Sequence, residues 1–285
     1  MKWISLFVLL FLAASCIEEA DFNPIRIEDP YVLNGLISPA CQLEVSLSRT
    51  TDIADTNLIV VFPDYIELYE DGILLPVVMD TAKSFITLGI IPKCHRKYRI
   101  RLSFPGLLES VWAEDSVPSM VSLQNATYRY PAYTGQYQTT YGDLEITFKD
   151  EKNTVNYYEI FMLRDTRLIQ TFNVKSPVIT MDTERDPVML PSILFSDEKF
   201  KDTSLVMHVF TDASKNPTVF LRNVSVHYYH YKKYLYQHLN NQNIERENIY
   251  DIFKGDPFDL YSNVENGLGI FAAYSESSLL SRTVK

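Results

Sequence analysis

The chain of 285 residues carries 26 Lys and Arg against 36 Asp and Glu, a formal charge of −10, and is 46% hydrophobic and 13% aromatic. That length exceeds a single small module and has room for two domains or one large β unit with a sizeable core. The acidic balance excludes nucleic acid and anionic lipid surfaces as electrostatically favoured partners.

The chain starts with Lys2, an apolar run from Ile4 to Ala14 and the small residues Ala13, Ala14 and Ser15, followed by Cys16 and the acidic Glu18, Glu19 and Asp21. A basic start, a short apolar core and small residues before a cut describe a secretory signal over residues 1–15, and the run is too short for a permanent membrane span. Cys16 at the cut is the residue that lipid modifies in a lipoprotein, and its several acyl chains anchor firmly where a single one is marginal. The alternative is an ordinary cleaved signal with a chance cysteine; Ala13 stands where the usual motif has Leu, with Leu12 one step further out. Residues 16–24 then form an acidic tether, which is also a common solvated composition. Elsewhere no run approaches the ~20 apolar residues of a spanning helix, so attachment falls to Cys16.

From Tyr31 the pattern is β. Tyr31 to Ile37, Leu43 to Leu47, Tyr65 to Tyr69, Leu74 to Met79 and Tyr98 to Phe104 are short, rich in branched and aromatic residues, and several alternate apolar with polar. Asn34-Gly35, Ser38-Pro39, Asp71-Gly72 and Ile91-Pro92 punctuate them, and Asp71-Gly72 between two apolar runs predicts a tight hairpin. Residues 25–115 therefore read as an immunoglobulin-like or transthyretin-like β-sandwich, with Pro118 marking the boundary. Cys41 and Cys94 lie within it. An exported compartment favours a disulfide between them, with two thiols that never meet as the alternative. Two cysteines alone do not make a structural zinc site.

Residues 119–285 read as a larger β domain with strands at Val121 to Tyr130, Leu144 to Lys149, Tyr157 to Arg164, Leu168 to Val174, Leu205 to Phe210 and Val219 to Val226. Tyr133 to Tyr141 and Asp182 to Pro191 read as looser connections. At 228–240 the period changes: Tyr228, Tyr231, Leu235 and Leu239 recur at helical spacing and predict one amphipathic helix. The fold class expected is thus mostly β, a sandwich followed by a larger antiparallel domain with one helix.

The passage Val219 to Leu239, Gly255-Asp256-Pro257-Phe258, and the tail from Asn263 through Gly267 and Gly269 to Ser275 resemble a lipoprotein family of the Bacteroidota known as domain of unknown function 4249. Val32 to Ile37 and Val45 to Arg49 match that family's opening pattern, so the resemblance spans nearly the whole mature chain; Asn266 and Cys41 are departures from it. The resemblance implies no catalytic residues. It implies an accessory part in nutrient uptake, because genes of this type tend to lie beside those of TonB-dependent outer-membrane receptors. The acidic cluster after Cys16 resembles the export signal that lipoproteins of the Bacteroidota carry just after the lipidated cysteine, which sends them to the outer face of the outer membrane; a periplasm-facing protein with a plain solvated tether is the alternative. Asp80-Thr81-Ala82 and Asp115-Ser116-Val117 look like the short O-glycosylation pattern of such exported proteins. Gly267 and Gly269 are expected to let a last strand, Leu268 to Tyr274, approach a neighbouring chain and close the core of the second domain; no helix follows to make a phosphate cradle.

Three constellations are candidates for function. His227, His230 and His238, with Tyr234, line one helical stripe, a spacing that can present imidazoles to one metal. No metalloprotease Glu accompanies them, and neutral surface histidines are the plainer reading. Tyr128, Tyr130, Tyr133, Tyr137 and Tyr141 concentrate around one segment, and Tyr229 and Tyr236 belong to a tyrosine-rich helix that cannot bury every ring. Such rings suit sugar, peptide or protein surfaces, or strand packing. No glycine-flanked serine elbow exists, and the pairs Asp150-Glu151, Asp197-Glu198 and Glu245 with Glu247 read as solvated loops. The expectation is a non-catalytic, cofactor-free binding protein, lipid-anchored in the outer membrane facing outward, with a TonB-dependent receptor as partner. An adhesive surface protein binding glycan or protein, and a metal-assisted hydrolase using the histidines, are the alternatives.

Overall fold

The structure, a computed structural model, describes residues 31–50, 59–78, 80, 85–134, 138, 140–149, 154–169, 171–172, 192–198, 204–211, 215–242 and 260–283. The expected signal, Cys16 and its acidic tether, Thr81, Tyr137, Asp150-Glu151, Asp182 to Pro191, and Glu245 with Glu247 lie outside the described residues.

In chain order the first part holds β1 (Tyr31–Ile37), β2 (Glu44–Arg49), β3 (Ile59–Val60), β4 (Tyr65–Glu70), β5 (Ile73–Leu75), β6 (Ile86–Thr87), β7 (Lys97–Ser103) and β8 (Val111–Ser116). The second holds β9 (Leu123–Thr134), β10 (Thr140–Lys149), β11 (Tyr157–Arg164), β12 (Arg167–Leu168), β13 (Thr171–Phe172), β14 (Ile193–Ser196), β15 (Ser204–Thr211) and β16 (Thr218–Val224). The helix α1 (Val226–Gln242) follows, then β17 (Val264–Glu265), β18 (Leu268–Leu280) and β19 (Arg282–Thr283). The fold is mostly β with one helix among the described residues, as the sequence predicts. Asp71 and Gly72 both take positive φ (49° and 84°) between Glu70 and its partner Ile73, the turn that an Asp-Gly pair makes without splaying the strands.

Two layered units result. In the first, β17-β8-β7-β4-β5 form one sheet, and Leu33, Val45, Leu68, Tyr98, Ile100 and Ala113 bury between it and the β1–β2 region. In the second, β13-β15-β10-β9-β19 face β11, β16 and β14 across a core of Tyr128, Ile146, Phe148, Tyr158, Ile160 and Leu221. Strict alternation along β10 explains its place: Leu144, Ile146 and Phe148 are buried while Glu145 and Thr147 are half-exposed. β11 instead runs Tyr-Glu-Ile-Phe-Met without exposure, because it is covered on both faces.

The division at residue 119 needs one correction. A single nine-stranded sheet, with the path β12-β11-β16-β18-β1-β2-β3, runs through both units. β18 is its hinge strand: residues Leu268–Ala273 pair in parallel with Val32–Ile37, and Tyr274–Leu280 pair antiparallel with Thr218–Val224. The tail strand was expected to close the second core. Phe271 and Ala273 instead bury in the first, and only its later part reaches the second, where Leu279 packs. Local patterning carries no signal for a parallel partnership between residues more than two hundred positions apart. The expected close approach does occur: a Cβ on Gly269 would lie 2.1 Å from the Leu33 carbonyl oxygen, and one on Gly267 2.8 Å from that of Tyr31.

The predicted disulfide is not formed. Cys41, after the turn that ends β1, is an exposed free thiol beside Tyr274, whereas Cys94 is free and packs inward against the first core. Among the described residues no helix is long and apolar enough to cross a membrane.

Candidate functional site

Alternation decides which side chains meet α1. Along β18 the odd-numbered Phe271 and Ala273 turn to the sandwich interior, so Ile270, Ala272, Tyr274 and Glu276 face the other side. Ile270 and Ala272 join Val224 and Tyr228 in a small apolar cluster bordered by Tyr157, Tyr229, Tyr231 and Tyr261. On β11 and β16 the same alternation turns Glu159, Phe161, Phe220 and Arg222 to the helix side, since Tyr158, Ile160 and Leu221 belong to the core.

The centre of this layer is Glu159, 2% exposed. Its Oε2 accepts hydrogen bonds from Tyr228 Oη at 2.5 Å and Arg222 Nη1 at 3.2 Å. Its Oε1 accepts from Ser192 Oγ at 2.6 Å and lies 3.7 Å from Lys232 Nζ. Arg222 also donates Nε to Glu276 Oε2 at 2.7 Å, and its guanidinium sits 4.6 Å and 4.4 Å from the ring centres of Phe161 and Tyr274. The Tyr236 and Ser192 hydroxyls share a short hydrogen bond. Burial by itself pushes the Glu159 carboxyl up, but Lys232, Ser192, Tyr228 and Arg222 together hold it below the usual glutamate value. Burial and the neighbouring Glu159 push Tyr228 well up and Tyr236 up to about 12, so both phenols stay protonated donors. The helix residues facing Glu159 are thus Tyr228, Lys232 and Tyr236, a stripe spaced by four. A lysine in its middle hides that stripe from a hydrophobicity reading.

A second buried carboxylate fastens the helix start. Ser225 caps α1: its Oγ accepts from Tyr228 N–H at 3.2 Å and donates a short hydrogen bond to Asp115 Oδ2. Asp115 Oδ2 also accepts from Ala273 N–H at 2.8 Å, and Oδ1 from Ser116 N–H at 2.8 Å. Burial dominates here and raises the Asp115 carboxyl despite these donors. One side chain therefore ties β8, β18 and the N-terminus of α1 together. Ser225→Ala removes the cap and one donor to Asp115, and a loss of about 2 kcal/mol in urea unfolding is expected, at the upper end for a cap; a loss below half of that would show the cap bond to be idle.

The histidine stripe turns to Tyr261. His227 Nδ1 and Tyr261 Oη share a hydrogen bond at 2.6 Å, and the His230 and Tyr234 rings lie 5.4 Å and 6.3 Å from that tyrosine. Burial, then Lys233 and His227, lowers the His230 pKa, so its ring favours the neutral form. His238, two turns on, is half-buried and is not part of this group. Among the described residues no group of three or more His, Cys, Asp or Glu is placed to hold a metal ion.

The tyrosines separate. Tyr128 is a correction: it is 1% exposed in the second core, its ring laid across Gly142, where a Cβ would come within 2.1 Å of its hydroxyl. Within the segment Tyr133 to Tyr141, expected as a loop, Tyr133 and Thr134 belong to β9 and pair with Tyr141 and Thr140 of β10, while residues 135–137 and 139 lie outside the described residues. Tyr130 is 37% exposed and stacks on Tyr128, Tyr141 is half-buried, and Tyr229 packs 4.7 Å from Tyr157. Asp197 is a further correction. It is fully buried and accepts from Asn156 N–H at 2.8 Å and Nδ2 at 2.9 Å, tying the end of β14 to the start of its sheet neighbour β11.

No curated protein and no solved structure matches the chain. The family model described as Domain of unknown function (DUF4249) matches residues 17–279, which takes in every strand of the first unit, the buried carboxylates, α1 and the hinge strand β18 up to Leu279. The chain belongs to that family.

Proposed function

We propose that this protein is a non-catalytic lipoprotein of the outer-membrane surface, acting as an accessory or substrate-capturing partner of a TonB-dependent nutrient transporter. The observation that carries the reading is the N-terminal pattern: a basic start, a short apolar run, small residues, Cys16, and the acidic Glu18, Glu19 and Asp21 directly behind it. Two features of the body support it. The buried carboxylates Glu159 and Asp115 each spend their oxygens on donors from neighbouring elements, which makes them clamps rather than a general acid and base. The fold adds large β surfaces with exposed Tyr65 and Tyr130, groups that suit protein or carbohydrate contact.

Cell fractionation tests the anchor. The wild-type chain is expected in the outer-membrane fraction, labelled by palmitate and digested by protease added to intact cells. Cys16→Ala is expected to carry no label and to leave the membrane fraction. Wild-type protein that takes no lipid, or that protease reaches only after the outer membrane is broken, would overturn this placement.

A further inference from the structure

Tyr31, the first residue of β1, lies at one end of the first sandwich, its ring stacked 3.8 Å from that of Phe104. The Cys16 anchor is separated from it only by residues 17–30, which at full extension reach about 50 Å. That same end carries a set of outward apolar side chains. Phe104 opens the loop between β7 and β8, where Leu107 is 42% exposed and Leu108 is completely so. Beside it, Asp64 N–H donates to Ser103 O at 2.8 Å and Tyr65 pairs with Ser103, which brings Phe62, 49% exposed, and Tyr65, 72% exposed, to this rim.

Two adjacent leucines at a loop tip gain nothing from water, and an isolated exposed leucine needs no explanation whereas a rim of four large apolar groups does. Tyrosine suits the boundary, with an apolar ring and a polar tip. The charges bordering the rim are mixed: Asp64 and Glu109 are acidic and exposed, and the Arg49 guanidinium lies 5.3 Å from the Tyr31 ring centre, so the rim itself favours neither sign and, with the chain's formal charge of −10, a neutral surface fits. We infer that this end of the first sandwich rests on the lipid surface to which Cys16 is anchored, with Leu107 and Leu108 inserted among the lipids and Phe62 and Tyr65 at the boundary. The inference rests on the lipid anchor proposed above. It orients the body: the β4–β5 hairpin with Ile73, at the other end of strand β4, points away from the membrane, about 17 Å or more from the rim along the six residues of β4.

The test uses the full lipidated chain, purified from membranes, in a background with Cys41→Ser and Cys94→Ser. A polarity-sensitive fluorophore is attached at Leu108→Cys or, as control, at Ile73→Cys, which is 70% exposed in the wild type. On reconstitution into neutral phosphatidylcholine vesicles, the label at 108 is expected to shift to the blue and to be quenched by nitroxide-bearing lipids, with neither change at 73. No change at 108, or equal changes at both positions, would overturn the inference. The mass of the N-terminal peptide reports lipidation separately, so a lipidated chain that fails at 108 refutes the docking end and leaves the anchor reading intact.

Discussion

Gly269→Ala is expected to lower the stability of the whole body by about 4 kcal/mol, at the severe end for one substitution, and the melting temperature by about 10 °C for a chain of this size. Two costs add. Gly269 has φ of +110°, a conformation that a side chain resists, worth about 1–3 kcal/mol of strain. Its added Cβ would also lie 2.1 Å from the Leu33 carbonyl oxygen and 2.9 Å from the carbonyl carbon, both backbone atoms. Only separation of β18 from β1 relieves that contact, and this pairing is the seam through which the nine-stranded sheet joins the two units. Gly72→Ala is the control. Its φ is +84°, but nothing lies within 4 Å of the added Cβ, so it should cost only the local strain of about 1–2 kcal/mol. Equal losses in the two variants, read by thermal unfolding, would show that the seam contributes nothing beyond local backbone preference.

Arg222→Met is expected to cost about 3–5 kcal/mol, the range for removing one partner of a buried ion pair. Glu159 then remains 2% exposed with Lys232 as its remaining cation, and Glu276 also loses its partner. Glu159→Gln combined with Arg222→Met should lose clearly less than the sum of the single changes, because the pair is then removed whole. Strict additivity in a double-mutant cycle would refute the coupling. The pH dependence has a definite sign. The folded Glu159 pKa lies below its ordinary value, so its contribution is complete above the unfolded glutamate value of about 4.3 and is lost as pH falls through the lowered folded value. Glu159→Gln should therefore flatten the acid limb of the stability profile below about pH 4.3, while an unchanged limb would mean that other carboxylates carry it.

Much of the fold was legible from local pattern. β1 and β11 fall on the residues that periodicity marks, and the Asp71-Gly72 hairpin follows from the only short turn that matches strand twist. The helix was legible too, and it extends from Val226 to Gln242 because Ser225 supplies a cap that hydrophobicity does not register. What pattern missed is long-range. The parallel β1–β18 seam and the sharing of one sheet by both units depend on backbone pairing, which leaves no periodic trace in either strand. The two-residue strands β3, β6, β12, β13, β17 and β19 are too short to show alternation.

The candidate site was less legible, for a related reason. Glu159 sits between Tyr158 and Ile160, where strand alternation turns one polar residue outward toward solvent or toward a covering helix. Nothing local says that α1 covers it. Asp115 and Asp197 were masked in the same way, by adjacent charged or small polar residues that look like turns. Tyr128 misled in the opposite direction. Its neighbours Tyr130 and Tyr133 made a conspicuous cluster, but place along the strand decides exposure: Tyr128 and Tyr130 share a face and stack, and Tyr128 lies over the second core while Tyr130, two residues nearer the hairpin end, is 37% exposed.

The proposed role of a surface lipoprotein that partners a transporter is tested by recovering the tagged, lipidated chain from its native outer membrane in mild detergent, with bound proteins identified and quantified. A TonB-dependent β-barrel in near-equal amount is the expected result. A clean preparation of the chain without any such barrel would contradict it.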